Sequence, residues 1–351
     1  MQIKKTSISR LDNVDFTKLK FGSVFSDHML VCQYDNNQWG SPEIVPYGPI
    51  SMNPGTQVLH YGQSVFEGMK VFRSINDEIL FFRKEENFAR LNKSAERMSI
   101  PLIDEEVFMS GLNQLINLDR DWCKGGEGYS LYVRPFIFAS SECIKASSSD
   151  QYTFIIITSP TTTYYRDDIN VVIEDNYTRA AKGGVGYAKA AGNYAASFFP
   201  TKQANAKGFT QVIWTDAKEH KYIEESGTMN IFFRINNTLI TPSLTDSILK
   251  GVTRDSIIKL ARDMGIDVQE RKILVSEITE AYEKGYLEEA FGTGTAVTVA
   301  PISSITFNGK KMILPIDQEN IYSLKLKKQL QAIQTGKIDD KYNWTSKVID
   351  I

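Results

Sequence analysis

Short strand-like runs alternate irregularly with amphipathic helical patterns along this 351-residue chain, and this alternation limits its fold more than any other feature. Apolar residues recur at helical spacing in three segments, 88–98, 107–116 and 257–264. The runs that are rich in β-branched and aromatic residues are 79–82, 131–138, 152–158, 170–174, 211–214 and 230–234. Because these runs are grouped around pairs of helices rather than each being followed by one helix, the pattern predicts the α+β class.

The length of the chain and one polar connector predict its division into domains. At roughly 150 residues per domain, a chain of this length is expected to form about two domains. A segment rich in proline, threonine and aspartate, residues 159–168, lies near the middle of the chain, and such segments between apolar runs are typical of loops. We therefore predict an N-terminal domain over 1–160, a connector over 161–175 and a C-terminal domain over 176–351.

The composition excludes several classes of protein. Forty basic and forty-two acidic side chains are scattered along the chain and give a net charge of −2, so neither a nucleic-acid-binding stripe nor a basic membrane-binding face is expected. The three cysteines, Cys32, Cys123 and Cys143, are widely spaced and only three histidines accompany them, which argues against a disulfide framework or a metal site. Without an apolar leader or a long apolar run, the chain is expected to be cytoplasmic.

One lysine stands in a segment of unusual composition. Residues 183–194 are mostly glycine and alanine with two tyrosines, and Lys189 is the single charged residue among them. A lysine that loses water to small apolar neighbours can present a neutral amine that attacks a carbonyl carbon. Taken alone, however, the segment is more typical of a solvated loop lysine beside a flexible turn.

Three further segments offer groups that suit a phosphorylated pyridine cofactor. The acidic pair Glu224–Glu225 precedes a tight turn, and a carboxylate near a pyridine nitrogen keeps that nitrogen protonated. Residues 251–253 stand at the start of a predicted helix, where backbone N–H groups favour a phosphate. The small residues of 291–296 leave amides accessible to an anion. Taken alone, the acidic pair is more typical of a plain surface turn, and many helices begin as 251–253 does without binding an anion. A bulge without a ligand is equally compatible with 291–296.

Together and in this order, these segments resemble the branched-chain aminotransferases, which belong to the fold type IV group of pyridoxal-phosphate enzymes. The resemblance extends over nearly the whole chain, and one of its motifs is Ser-Leu-Tyr-Val-Arg-Pro at 130–135. The other matching segments are 21–30, 59–70, 183–194, 225–230, 251–254, 291–296 and 340–344.

The resemblance implies both a fold and an activity. The fold would have a smaller N-terminal α/β domain and a larger C-terminal, β-rich pseudo-barrel domain with helices. The activity would be the reversible, ping-pong transfer of an amino group between L-leucine, L-isoleucine or L-valine and 2-oxoglutarate, with pyridoxal 5'-phosphate as cofactor. The family also implies a homodimer as the active unit.

The resemblance assigns the cofactor-binding residues. Lys189 would hold the cofactor as an internal aldimine and then carry a proton between the substrate α-carbon and the cofactor. Tyr194 would bond the ring hydroxyl, Glu225 the ring nitrogen and Arg90 the phosphate. The remaining residues of the phosphate cup and cofactor pocket would be Arg179, Thr228, Leu249, Gly251, Val252, Thr253 and Thr295.

The substrate pocket is assigned in the same way. Arg134 and tyrosine hydroxyls would bind the second carboxylate of glutamate, which cannot enter an apolar pocket without a partner. Ile144, in a loop over 140–150, would reach the site of the neighbouring subunit. The aromatic residues around the branched side chain would be Phe21, Tyr61, Phe66, Tyr132 and Tyr164. The α-carboxylate would meet the amides of Thr295 and Ala296 with Tyr61 as a further donor, and Thr228 would also belong to the substrate site.

The sequence departs from the family pattern at a few positions, and alternatives stay open. Ala191 stands where the family usually has glycine, Lys250 where it has proline, and Val297 and Ala300 where the animal enzymes have a redox pair of cysteines. The alternatives are another enzyme of the same group, a D-amino-acid aminotransferase or an aminodeoxychorismate lyase, or a non-catalytic protein that binds pyridoxal phosphate.

Overall fold

A computed structural model describes residues 1–162, 169–316 and 321–349. These residues form two compact units. Unit 1 contains residues 1–162, 188–192 and 332–349, and unit 2 contains 169–187, 193–316 and 321–331. Residues 188–192, which include Lys189, and the C-terminal tail are thus grouped with the N-terminal part of the chain. The division at 1–160 and 176–351 stays a prediction.

The helices of the described residues confirm the three helical segments that the sequence predicts, in α2, α3 and α5. The α-helices in chain order are α1 (Val58–Tyr61), α2 (Lys84–Arg97), α3 (Glu105–Leu118), α4 (Ala191–Ala206), α5 (Val252–Asp263), α6 (Val275–Glu283) and α7 (Tyr322–Gln334).

The strands likewise confirm the six predicted runs, in β7, β8, β9, β10, β11 and β13. The strands in chain order are β1 (Gln2–Ile3), β2 (His28–Asp35), β3 (Gln38–Trp39), β4 (Glu43–Pro46), β5 (Ser64–Phe66), β6 (Met69–Arg73), β7 (Ile79–Phe82), β8 (Ser130–Ala139), β9 (Tyr152–Thr161), β10 (Ile169–Ile173), β11 (Gln211–Thr215), β12 (Ile223–Ser226), β13 (Met229–Ile235), β14 (Thr238–Thr241), β15 (Val268–Glu270), β16 (Leu287–Gly294), β17 (Thr298–Phe307), β18 (Lys310–Ile313) and β19 (Thr345–Lys347).

Unit 1 is a ten-stranded sheet with helices packed on one face. Its strand order is β1-β4-β2-β9-β8-β6-β7-β19, with β3 beside β2 and β5 beside β8. The apolar faces of α2 and α3, which include Leu91, Ala95, Phe108 and Leu112, pack into the main core of the unit. The C-terminal tail belongs to this unit because β19 pairs with β7.

Unit 2 is a nine-stranded sheet that closes on itself. The order β12-β11-β10-β17-β16-β13 forms a six-stranded ring, because β12 pairs with β13 as well as with β11. Closure removes exposed strand edges, and side chains such as Ile213, Ile231 and Phe233 fill the core of this unit. The predicted α+β class and the β-rich barrel of the C-terminal part are confirmed.

The described residues offer neither a membrane-spanning helix nor a metal-ligand cluster. No helix within 1–162, 169–316 or 321–349 is long and apolar enough to cross a bilayer. In the same part of the chain, no group of three or more histidine, cysteine, aspartate or glutamate side chains is arranged to hold a metal ion.

Candidate active site

Lys189 is held in unit 1 by backbone contacts on both sides. Its N–H donates to Ser94 Oγ in α2 at 2.9 Å, and its carbonyl accepts from the Phe66 N–H at the end of β5 at 3.0 Å. A β-bridge between Val65 and Ala190 continues this pairing. The lysine is half-buried, and its Nζ lies 4.7 Å from the centroid of the Phe66 ring. The structure therefore fixes the lysine backbone and places its amine against an aromatic face.

A buried carboxylate that the sequence analysis did not assign lies beside this lysine segment. Glu67 has no exposed surface. Its Oε1 accepts from Arg90 Nε at 2.6 Å, and its Oε2 accepts from Arg90 Nη2 at 2.9 Å, Asn87 Nδ2 at 2.9 Å and the Gly68 N–H at 3.0 Å. Burial alone would raise the pKa of Glu67, but the charge and hydrogen bonds of Arg90, the charge of Lys189 and the Asn87 bond together hold it below its ordinary value.

The sequence explains why α2 carries these groups. Asn87, Arg90 and Ser94 follow one another at three- and four-residue spacing, so they share one side of the helix. Ser94 Oγ also donates to the Arg90 carbonyl at 2.8 Å, which fixes the hydroxyl that receives the Lys189 N–H. The signal that would have identified Glu67 is a charged residue directly before a glycine in a short run, 65–69, whose other members carry no polar side chain. Such a charge needs a buried partner.

Four of the predicted substrate-binding residues meet in unit 1. Arg134 Nη2 donates to Tyr132 Oη at 3.0 Å, and the guanidinium carbon lies 4.6 Å from the centroid of the Phe66 ring. Phe21 packs edge-on against Tyr132, with ring centroids 4.9 Å apart. Arg134 Nε is buried and has no hydrogen-bond partner among the described residues. Aromatic rings are thus combined with a donor that an anionic oxygen would satisfy.

Two other predicted residues meet each other on the surface of unit 1. Tyr61 Oη donates to the Ile144 carbonyl within the same chain. The loop that carries Ile144 is also held by Gln57, whose Nε2 donates to the Lys145 carbonyl at 3.0 Å. The side chain of Ile144 is 69% exposed, so it is available for a contact. Its insertion into a neighbouring subunit stays a prediction, and Tyr164 lies outside the described residues.

Glu225 is the centre of the predicted cofactor residues in unit 2. It lies in β12 and is 3% exposed, and its Oε2 pairs with Arg179 Nη2 at 2.8 Å. Its Oε1 accepts from Asn230 Nδ2 at 2.9 Å and from the Leu249 N–H at 3.1 Å. Arg179 is held in turn by the carbonyl of Gly186 at 3.2 Å. The structure therefore brings Arg179, Glu225 and Leu249 together, as a fixed and paired carboxylate.

The neighbouring Glu224 has a different environment. It is partly buried, and burial raises its pKa above the ordinary value although Ser247 Oγ donates to its Oε1 and Arg179 lies near. Its Oε2 has no hydrogen-bond partner in the described part of the chain. Of the acidic pair, Glu225 is the better partner for a cation, because several donors fix its carboxylate.

The start of α5 is shaped by its preceding glycine. Gly251 is the N-cap, with an ordinary φ of −70°, and no side chain among the described residues caps this helix end. A Cβ at Gly251 would lie well inside 3.0 Å of Asn230 Oδ1 and 3.2 Å from Arg254 Cβ. Space, rather than backbone conformation, therefore requires glycine here. The amides of Val252 and Thr253 begin the helix, and the dipole there favours an anion.

The remaining predicted residues lie in one helix, one turn and the residues that follow one strand. Tyr194 lies in α4, Thr228 in the turn between β12 and β13, and Thr295 and Ala296 directly after β16. Their roles toward a ligand stay predictions.

Comparison with known proteins identifies the family. The sequence profile described as amino-transferase class IV matches residues 64–305. The branched-chain-amino-acid aminotransferase 2 of Bacillus subtilis is 45% identical over 338 residues, which cover 95% of this chain and 93% of that protein. The branched-chain-amino-acid transaminase 1 of the same organism is 45% identical over 95% of each chain. The chain therefore belongs to the class IV aminotransferases, within their branched-chain group, as the sequence resemblance predicted.

A solved structure agrees with this placement. The branched-chain amino acid aminotransferase of Escherichia coli is 26% identical and superposes with a TM-score of 0.75, covering 92% of this chain and 99% of that one. Membership of the family implies pyridoxal 5'-phosphate as cofactor, and an amino acid and an oxo acid as substrates.

Proposed function

We propose that this protein is a branched-chain aminotransferase. It would exchange an amino group reversibly between L-leucine, L-isoleucine or L-valine and 2-oxoglutarate by a ping-pong mechanism, with pyridoxal 5'-phosphate bound at Lys189. The observation that carries the choice of substrates is Arg134, whose buried Nε has no partner in the described residues and whose guanidinium lies against aromatic rings. Such a site suits an aliphatic side chain and also supplies a cation for the side-chain carboxylate of glutamate.

The residues present fit the cofactor. Lys189 offers a side-chain amine on a backbone that a hydrogen bond to Ser94 holds in place. Glu225 offers a buried carboxylate that is fixed by three donors. The start of α5 offers amides at a helix end without a side-chain cap in the described residues. When bound, pyridoxal phosphate supplies an electron-withdrawing ring that makes the substrate α-proton acidic.

The protein's own groups would then have separate roles. Lys189 Nζ would bind the cofactor aldehyde and later carry the proton that leaves the substrate α-carbon. Glu225 would hold a proton on the ring nitrogen, and its bonds to Arg179, Asn230 and Leu249 keep its carboxylate in place. Tyr194 would bond the ring hydroxyl.

The phosphate and the substrate would be bound by further residues. Val252, Thr253, Thr295 and Arg90 would hold the phosphate, and Thr228 and Gly251 would complete the cofactor pocket. In the substrate pocket, Phe21, Phe66 and Tyr132 would contact an aliphatic side chain. The α-carboxylate would lie at Thr295 and Ala296 with Tyr61 as a further donor, and Ile144 would come from the second subunit of a homodimer.

Spectroscopy of the purified protein tests the activity. Addition of L-leucine to the protein loaded with pyridoxal phosphate should convert the aldehyde absorbance to the amine form, and 2-oxoglutarate should reverse it. A static spectrum would identify a non-catalytic binding protein. Conversion by D-alanine but not by L-leucine would identify a D-amino-acid aminotransferase.

A matched pair of lysine variants tests the assignment of the lysine. Lys189→Ala should lower turnover by several orders of magnitude, because the covalent and the proton-carrying roles are lost together. Lys182→Ala removes an exposed lysine from the same loop and should retain turnover. Similar turnover in both variants would reassign the site.

A further inference from the structure

Burial of the Glu67 carboxylate is unfavourable for the stability of the fold. Glu67 lies between β5 and β6, and its side chain is fully buried. Removing a carboxylate from water is costly even when it is paired, and replacement of a buried ion pair by apolar residues of similar volume is often neutral or stabilising. Four hydrogen bonds from three residues satisfy this carboxylate. Stability alone does not account for such an arrangement, and Glu67 has two neighbours on which it can act, Arg90 and the lysine segment.

The first neighbour is Arg90. Its Nε and Nη2 bind the two different oxygens of Glu67, at 2.6 and 2.9 Å. Because a guanidinium group is planar, two bonds to one carboxylate fix its plane and its rotation about the side-chain axis. Asn87 donates to the same carboxylate from the preceding turn of α2 and keeps the pair in place. The direction of the Arg90 fork is therefore set before any ligand binds.

The second neighbour is the lysine segment. Glu67 directly follows Phe66, whose N–H binds the Lys189 carbonyl and whose ring lies under the Lys189 amine. The helix face that binds Glu67 also carries Ser94, which accepts from the Lys189 N–H. The positive charges that act on Glu67 are those of Arg90 and Lys189. The charge of Lys189 thus acts on Glu67, which directly follows the residue whose ring contacts the amine.

We propose that Glu67 is a positioning residue of the active site, which holds the guanidinium of Arg90 in one orientation and stabilises positive charge on the side-chain nitrogen of Lys189. The proposal rests on the proposed function, since it assumes that Lys189 binds the cofactor and Arg90 its phosphate. Glu67 acts through these two residues.

The test compares the wild type, Glu67→Gln and a control variant, all loaded with pyridoxal phosphate. The control is Asp27→Asn, which removes another buried carboxylate of unit 1, one that accepts from Ser9 Oγ, the Arg10 N–H and Trp122 Nε1. The visible absorbance of the bound cofactor is titrated with pH, and the affinity of each apoprotein for pyridoxal phosphate is measured separately.

Glu67→Gln should move the midpoint of the absorbance titration down by about one pH unit, because the protonated nitrogen loses a nearby negative charge. Its affinity for pyridoxal phosphate should fall about tenfold, because Arg90 is no longer fixed by two charge-assisted hydrogen bonds. Asp27→Asn should leave both quantities as in the wild type. A midpoint and an affinity for Glu67→Gln that equal those of the control would overturn the proposal.

Two further outcomes are also decisive. If Glu67→Gln does not fold, Glu67→Asp is used, which keeps the charge but withdraws the carboxylate from Arg90. It should retain the wild-type midpoint with about tenfold weaker cofactor binding, and wild-type affinity would refute the positioning role. If the wild type itself does not bind pyridoxal phosphate, the proposed function fails and the role of Glu67 fails with it. A wild type that reacts with L-leucine, beside an unchanged Glu67→Gln, refutes only the role of Glu67.

Discussion

A single methyl group at Gly251 should disturb the carboxylate of Glu225 without touching it. The Cβ of an alanine would lie inside 3.0 Å of Asn230 Oδ1, so the amide must move by about 1 Å. Asn230 Nδ2 donates at 2.9 Å to Glu225 Oε1 and at 2.9 Å to the Leu249 carbonyl, and a shift of this size lengthens or breaks both bonds. Gly251→Ala therefore acts on Glu225 through Asn230.

The magnitude follows from these contacts. A hydrogen bond to a charged group contributes about 1.5–3 kcal/mol and a neutral one about 1 kcal/mol, and overpacking by one methyl group costs about 1–3 kcal/mol. Because the amide relaxes partly, we expect a loss of about 2–4 kcal/mol in the free energy of unfolding. Affinity for pyridoxal phosphate should fall at least about tenfold if Glu225 binds the ring nitrogen.

The assay compares urea unfolding and cofactor titration of Gly251→Ala with those of Gly48→Ala. Gly48 is a suitable control because a Cβ there meets no atom within 4 Å and its φ is not positive. The control should match the wild type in both measurements. If Gly251→Ala also matches the wild type, the contact between Gly251 and Asn230 does not constrain Glu225, and the reasoning is refuted.

Three other substitutions test separate parts of unit 1. Ser94→Ala removes the acceptor of the Lys189 N–H and should lower the melting temperature by a few degrees, corresponding to about 1–2 kcal/mol. The control is Ser197→Ala, which removes a helix hydroxyl that donates to the Tyr194 carbonyl at 2.7 Å and should change the melting temperature little. Equal losses in the two variants would contradict the prediction. Arg134→Ala should raise the KM for glutamate about tenfold more than the KM for leucine, and equal changes would count against the pocket. Despite burial, the pKa of Glu67 lies below its ordinary value because of the charges of Arg90 and Lys189 and the hydrogen bond from Asn87. The ionised carboxylate therefore stabilises the fold above the ordinary pKa of glutamate, and this contribution is lost as the pH falls through the lower folded-state pKa. Glu67→Gln should flatten that part of the acid-unfolding curve, and an unaltered curve would refute this.

The main elements could be predicted from the sequence because each carries its own periodicity. Residues 79–82 coincide with β7, and the apolar stripe 257–264 lies mostly within α5. Strand pairing is different, because it depends on contacts between distant residues. The closure of the unit 2 ring by β12 and β13 involves the pair Glu225 and Asn230, and no local pattern indicates that β12 also pairs with β11. The barrel was expected only through the resemblance to a family.

The candidate site divides in the same way. Lys189 and Glu225 stand out through unusual local composition, although composition alone did not decide their roles. The partner of Arg90 was not predictable from the sequence. Glu67 lies 23 residues earlier in the chain, and its carboxylate contacts the arginine only when α2 packs on the sheet. The contact between Tyr61 and Ile144 spans 83 residues and was also not expected.

The pairing of Arg90 with Glu67 indicates what the arginine contributes. The two side chains together carry no net charge, so the pair adds little long-range attraction for an anion. Its contribution is direction, because a guanidinium that is already fixed loses less freedom when it binds a ligand. Phe66 thus contacts the lysine with its ring and with its N–H, and the charge of Lys189 acts on the adjacent Glu67.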